Sequence, residues 1–188
     1  MPTTTENAKF VQGQHKIPMI DERSRAIGIV AQNYPISAAA SSTVMVTQTP
    51  YYALTFVNEG DTCTNVQIWN VAAASAQPTN FYAALYTGAG VQKAITADVA
   101  ATVSTNTGIL TFPFTTAFVA PAGLYYVAIL CVMGAGTLPA PGRSTSAGSV
   151  KPGAGSLFVS GKDSSTATTF PTTPTIVASV QDYWMAIT

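Results

Sequence analysis

The sequence predicts an all-β protein: a single antiparallel β-sandwich, jelly-roll-like, with an extended N-terminal arm. The apolar residues are mostly Ala, Val, Tyr and Phe, and the remainder is rich in Thr, Ser, Gly and Pro. β-Branched and aromatic residues favour strands, while Gly and Pro favour turns. Turn residues also recur at short intervals, as they do between sandwich strands. A length of 188 residues fits one domain with an appendage.

The arm is predicted from the distribution of charge. Eight Lys and Arg and eight Asp and Glu are present, and seven of these charged residues lie within the first 25 positions. The change in composition, followed by Pro35 and the small residues 37–42, predicts an arm at 1–35 and a sandwich at 36–188. The apolar residues of the arm lack helical periodicity, which fits either an extended segment on a neighbouring subunit or a disordered tail. The candidate contact residues are Phe10, Val11, Ile17, Ile20, Ile27, Ile29 and Val30.

Eight runs of β-branched and aromatic residues follow the arm, and each predicts a strand. They are 44–49, 51–58, 62–71, 80–87, 95–103, 109–116, 124–133 and 176–187, with a shorter candidate at 156–160. Residues 58–61 predict a tight hairpin turn in which Gly60 adopts a positive φ. In 109–116, Leu110, Phe112 and Phe114 share one face, and Pro113 indicates an edge strand.

The run 124–133 is apolar on both faces. It predicts a central strand that is covered by the second sheet on one side and by a loop or a partner on the other. This makes Tyr125, Val127 and Ile129 candidate subunit contacts. The run is about half as long as the roughly 20 residues of a membrane-spanning helix, so no membrane insertion is expected.

The low charge content predicts an assembly. Charged residues make up 9% of the chain and the formal net charge is zero, whereas an ordinary soluble domain has about 25%. Surfaces poor in charge are typical of subunit interfaces, so a homo-oligomer is expected. The absence of a basic cluster argues against nucleic-acid binding. The first ten residues do not have the pattern of a secretory signal, which predicts folding in the cytosol.

The residues needed for catalysis are scarce. The single histidine, His15, lies in the arm, so neither an enzyme nor a bound cofactor is expected. Glu59 and Asp61 form the closest pair of carboxylates in the sandwich, and they are either a weak calcium site or the polar part of a turn. Cys63 and Cys131 lie in strand-like runs and are expected to be free and buried, with a disulfide as the alternative.

Aromatic side chains offer a second kind of site, because their flat faces can stack on sugar rings. The candidates for glycan stacking are Trp69, Tyr82, Tyr86 and Trp184. The alternative is that most of these side chains belong to the core or to an interface.

Two segments resemble sandwich modules of bacteriophage tail and fibre proteins. They are residues 80–87 (NFYAALYT) and residues 118–128 (FVAPAGLYYVA). In such modules a strand ending in Leu-Tyr leads to a Gly turn, and a Pro-x-Gly-x-Tyr-Tyr corner begins a central strand. The resemblance covers roughly residues 50–135 and implies a virion surface protein, often trimeric, that is attached by its N-terminal segment. It brings no catalytic residues.

Three functional hypotheses follow. The first is a virion component of the tail or fibre type, assembled in the host cytoplasm, with other virion subunits and a host surface glycan as its partners. The second is a head-mounted decoration protein of the same fold, since the chain has neither the heptads nor the collagen-like repeats of long fibres. The third is a free carbohydrate-binding module.

Overall fold

The structure is a computed structural model that describes residues 24, 26–144 and 159–188. About half of this part of the chain lies in strands, as expected from its content of Val, Thr and Tyr. The strands are β1 (Ala31–Gln32), β2 (Ala39–Ser42), β3 (Tyr51–Val57), β4 (Thr62–Ala72), β5 (Asn80–Thr87), β6 (Gln92–Ile95), β7 (Gly108–Val119), β8 (Gly123–Val132), β9 (Ala140–Ser144), β10 (Ser160–Asp163), β11 (Ile176–Ala178) and β12 (Met185–Ile187). A short helix, α1 (Ala100–Thr105), lies between β6 and β7.

The strands form two antiparallel sheets. Sheet one has the order β1–β12–β4–β9–β2, and β7 pairs with β4. Because Ile68 pairs with Met185 and Asn70 with Pro141, β12 and β9 occupy consecutive stretches of one edge of β4, opposite β7. Sheet two has the order β11–β10–β3–β8–β5–β6. The predicted all-β antiparallel sandwich is confirmed, whereas jelly-roll connectivity stays a prediction.

The main core lies between the sheets. It contains alternate residues of the long strands, among them Phe81 of β5, Phe112 of β7 and Ile129 of β8. Phe81 and Phe112 meet across this layer with ring centroids 5.6 Å apart. Fully burying a side chain of this size contributes about 1.5–3 kcal/mol, so the inter-sheet core supplies the main stabilisation of the sandwich.

A second apolar cluster covers the outer face of sheet two. Tyr52, Tyr86 and Tyr126 are buried there, and Phe170 packs against Tyr86 from above. Residues 164–175, which we call the strap, cross this face. Asp163 holds both ends of the strap, because its Oδ1 accepts from Ser165 N (2.9 Å) and its Oδ2 from Thr175 N (3.1 Å). The sequence predicted that a loop or a partner covers the outer face of β8, and the strap, a loop of the same chain, covers it.

Three predicted strands differ from the observed ones. Residues 44–49 form no strand, and Gln48 adopts a φ of 60°. The run 95–103 divides into the end of β6 and α1, because Asp98 Oδ1 accepts from both Phe81 N and Ala100 N and turns the chain. The run 176–187 divides into β11 and β12, which belong to different sheets. Of the short candidate at 156–160, residues 156–158 lie outside the described residues, and the strand observed there is β10.

The sandwich extends N-terminal to the predicted boundary after residue 35. Ile29 and Ala31 are buried in the main core, and Val30 N donates to Ile187 O at 2.8 Å. The small residues 37–42 at that boundary include β2. Pairing with β12 and β9, which are distant in sequence, provides hydrogen bonds that composition does not reveal. Residues 1–23 of the arm lie outside the described residues.

Other sequence expectations concern single residues. Cys63 and Cys131 are free thiols and are buried in the main core. Gly60 has a φ of 80°, as predicted for the turn. Pro113 lies in β7, which is an edge strand whose partner is β4. Within the described ranges, no helix combines the length and the hydropathy needed to cross a bilayer.

Candidate binding groove

The two sheets meet at a seam between β6 and β7. Thr96, just after β6, forms a bridge with Phe114 of β7, and Thr115 Oγ1 donates to Ile95 O at 3.0 Å. At this point β7 leaves β4: Pro113 pairs with Asn65 and Phe118 with Cys63, so β7 has four intervening residues where β4 has one. The bulge moves β7 towards β6, and the two strand edges lie side by side with few hydrogen bonds between them.

The corner between β7 and β8 closes one end of this seam. Ala120 N donates to Asp61 O (3.0 Å) and Gly60 N donates to Ala120 O (2.9 Å), which fixes the corner to the predicted hairpin turn. Tyr125 OH donates to Pro121 O at 3.0 Å, and the ring of Tyr125 meets that of Phe118 edge-on at 6.0 Å. The Pro-Ala-Gly-Leu-Tyr-Tyr segment therefore folds as a braced turn.

A groove follows the seam and the corner. Its larger hollow has a volume of about 490 Å³ and is lined by Phe118, Val119, Pro121, Leu124 and Lys93, among others. A second hollow of about 190 Å³ is lined by Lys93, Gln92, Thr115 and neighbouring residues. Lys93 lines both hollows, so the larger, mainly apolar hollow is continuous with the smaller, mainly polar one. We call the two together the seam groove.

The chemistry of the seam groove is that of binding. Among the described residues, Lys93 is the one charged side chain that lines either hollow, and it is exposed. Burial, reinforced by the nearby Cys63, raises the pKa of Tyr125, so its hydroxyl acts as a neutral donor. Burial first and the charge of Asp61 second raise the pKa of Cys63 to about 12, which leaves a thiol unsuited to nucleophilic attack. The groove can hold apolar groups together with one anionic group.

The predicted subunit contacts fall into three groups. Phe10, Val11, Ile17 and Ile20 lie outside the described residues. Ile27 is 74% exposed, whereas Ile29 is buried in the main core and Val30 packs against it. Tyr125, Val127 and Ile129 point between the sheets and are covered within the single chain. These three side chains are therefore part of the main core of the chain itself.

The predicted glycan-stacking residues are not brought together. Tyr86 and Trp184 are fully buried, and their polar atoms donate to Pro171 O (2.8 Å) and Tyr34 O (3.0 Å). Tyr82 packs against the outer cluster of sheet two, while Trp69 is half-buried in sheet one. Since these two lie on different sheets, they do not form one aromatic platform.

The candidate calcium residues lie in the turn before β4. Asp61 Oδ2 accepts from Asn58 Nδ2 at 3.1 Å and from Asn58 N at 3.3 Å, so its carboxylate joins the two ends of the turn. Glu59 is exposed. Across the described residues, no group of three or more His, Cys, Asp or Glu is placed to hold a metal ion. The observed bonding matches the predicted alternative, a polar turn.

A buried polar cluster fixes the segment where the arm joins the sandwich. Asn33 Nδ2 donates to Asp182 Oδ1 (3.2 Å) and to Tyr183 O (2.8 Å), and Tyr34 OH donates to Asp182 O (2.8 Å). Asn33 Oδ1 accepts from Met185 N at 3.0 Å. Desolvation raises the pKa of Asp182 to about 6, against a smaller opposing effect of the Asn33 hydrogen bond.

Sequence reasoning missed Val119 and Leu124 as exposed residues of the groove. The available signal was the Pro-Ala-Gly turn itself, which places apolar residues on both sides of a corner. Comparison with known proteins adds no further guide: no family model and no curated protein matches the chain. Its function is therefore inferred from its own residues.

Proposed function

We propose that this chain is a non-enzymatic structural subunit of a bacteriophage virion, of the tail or fibre type, that works as a homo-oligomer. The balance of its surface carries the proposal. Among the described residues, the exposed charged side chains are Glu59, Lys93, Asp98 and Lys162. The exposed large apolar side chains are more numerous: Ile27, Ile36, Val44, Val46, Val71, Val91, Ile109, Val119, Leu124, Val177 and Val180.

This balance favours an assembled state. A lone soluble domain usually displays many charges of both signs, and these keep it from associating. Subunit interfaces are depleted of Lys, Glu and Asp and keep apolar residues. The groove contributes Val119 and Leu124 to the exposed apolar set, so at least one part of this surface is concave and braced.

The buried carboxylates support a structural role. Asp163 holds the strap and Asp182 accepts from Asn33, so each has hydrogen-bond donors within the fold. Asp98, although exposed, accepts from Ala100 N at the start of α1 and from Phe81 N in β5. A catalytic acid or base is instead expected in a cleft within reach of a substrate.

Two alternatives remain. A head-mounted decoration protein has the same requirements, an anchoring arm and an outward sandwich, and localisation within the particle separates it from a tail protein. A free carbohydrate-binding module is favoured by Trp69, whose ring lies partly exposed against Gly142. A stable monomer that binds a glycan specifically would support that alternative.

The test has two parts. Light scattering on the full chain should give a molar mass above that of the monomer, with a trimer favoured, and deletion of residues 1–23 should lower it. The deletion ends before Ser24, because removing residues 1–35 would also remove β1 from the sandwich. Mass spectrometry of purified particles whose genome encodes the chain should detect it in stoichiometric amounts. Absence from such particles would refute the virion role.

A further inference from the structure

We propose that the seam groove of one subunit receives residues 17–22 of the N-terminal arm of a second copy of this chain. The inference rests on the proposed function, because it names the partner that would fill the groove in the assembly. The seam groove supplies an apolar hollow, lined by Phe118, Val119 and Leu124, with Lys93 at its junction with the polar hollow.

The segment 17–22 has the complementary chemistry. Its sequence is Ile-Pro-Met-Ile followed by Asp-Glu, so an apolar run is directly followed by two carboxylates. The apolar side chains match the larger hollow, and the carboxylates match Lys93. Pro18 has no N–H to leave unsatisfied and favours extended backbone. A hollow of about 490 Å³ also falls within the usual size range of sites that hold small groups.

The arm and the groove of one chain lie at opposite edges of sheet one. The described chain enters sheet one at β1, which Thr55 Oγ1 holds beside β3 by donating to Gln32 O at 3.0 Å. The groove lies at the other seam, between β6 and β7. In the path β1–β12–β4–β7 three strand spacings, or about 14 Å, separate the two edges. An arm docking on its own groove would have to cross the outside of sheet one.

Such a contact is heterologous, because it joins an arm on one subunit to a groove on the next. Repeated contacts of this kind close into a ring when the rotation allows it, and a trimer is one such ring. Residues 17–22 precede Ser24 by at most seven positions, a span of about 25 Å when extended. The neighbouring groove must therefore lie within about 25 Å of Ser24, which requires the sandwiches to pack closely.

A cysteine cross-link tests the contact in the full chain. One preparation carries Ile20→Cys and another, with a different tag, carries Val119→Cys; the native Cys63 and Cys131 are buried. Mild oxidation of the mixture should give a covalent dimer that contains both tags. The matched control replaces Val119→Cys by Ile109→Cys, since Ile109 is also an exposed apolar residue of β7 but does not line the groove. Cross-linking no greater than in this control overturns the proposal.

A double variant with Ile20→Cys and Val119→Cys in one chain examines docking within a subunit. If it closes an intramolecular bridge while the mixture gives no mixed dimer, the assignment to a second copy is overturned.

Charge reversal gives an independent readout. Lys93→Glu should weaken association several-fold, and adding Asp21→Lys with Glu22→Lys should restore it. Absence of rescue, with folding intact, also counts against the proposal.

The two levels of inference fail in different ways. A wild-type chain that is monomeric in solution and absent from particles overturns both the proposed function and this contact. An oligomeric chain whose mixed cross-links equal those of the Ile109→Cys control overturns the arm–groove contact alone.

Discussion

Asn33 and Asp182 are 149 positions apart in the chain, and their side chains meet at 3.2 Å, with Asn33 Nδ2 as the donor. The same amide donates to Tyr183 O and accepts from Met185 N, so one side chain fastens the segment after β1 to the segment before β12. Asp182 is buried. The contact therefore joins the arm to the sandwich through a carboxyl group that responds to pH.

Asp182→Asn should remove a pH dependence of stability. Burial raises the pKa of Asp182 from 3.8 to about 6 in the folded chain. The folded state thus retains a proton between about pH 4 and 6 that the unfolded state loses, so the free energy of unfolding falls as pH rises through this window and levels off above it. An Asn side chain still accepts from Asn33 and never ionises.

The variant should therefore match the wild type near pH 4 and exceed it by up to about 3 kcal/mol at pH 7.5, since the pKa is raised by about two units and each unit corresponds to about 1.4 kcal/mol. Urea denaturation at the two pH values measures the difference. The other titrating groups are the same in both proteins, so they cancel in the comparison. An equal stability difference at both pH values would contradict the role assigned to Asp182.

Tyr52 and Tyr86 form a matched pair beneath the strap. The Tyr52 hydroxyl is buried and has no hydrogen-bond partner in the described part of the chain, whereas Tyr86 OH donates to Pro171 O at 2.8 Å. Tyr52→Phe should leave the stability unchanged or raise it by about 1 kcal/mol, because it removes an unsatisfied polar group. Tyr86→Phe should lower it by about 1 kcal/mol. Chemical denaturation of both variants measures their free energies of unfolding. A large loss of stability in Tyr52→Phe would indicate a partner for the Tyr52 hydroxyl, such as a bound water.

Gly142 permits the close approach of Trp69 to β9. A Cβ built at Gly142 would lie 2.1 Å from Trp69 Cε3, while one built at Gly134 meets nothing within 4 Å. Gly142→Ala should lower the free energy of unfolding by about 1–3 kcal/mol through overpacking, and Gly134→Ala should change it by less than about 0.5 kcal/mol. Thermal unfolding followed by tryptophan fluorescence compares them. Similar melting temperatures for the two variants would show that Trp69 can move aside.

The sequence was informative wherever local pattern decides structure. Residues 80–87 were predicted with the observed bounds of β5, since their apolar and aromatic residues fit a central strand with both faces covered. The run 176–187 was not resolved into β11 and β12, although residues 179–182 are more polar than the strands that flank them. Their separation depends on which distant strand each part meets, β10 in one case and β4 in the other.

The same limit applies to the candidate site. Phe118, Val119 and Leu124 could be assigned to a corner from the Pro-Ala-Gly turn, but Lys93 joins them only because β6 approaches β7 at the seam. β1 is two residues long and pairs with β12, so local propensity contains almost no signal for it. Long-range pairing is the part of the fold that a single sequence encodes least directly.

The position of β12 affects the order in which the subunit is completed. In sheet one, β12 lies between β1 and β4, although it is the last of the described strands along the chain. β1 therefore depends on β12 for its place in sheet one, and we expect it to join late in folding. In folding intermediates the residues that connect the arm to β1 would then not be held in place, so only fully folded subunits would present the arm in its final position. Assembly through the arm would in this way select for chains that have completed their sandwich.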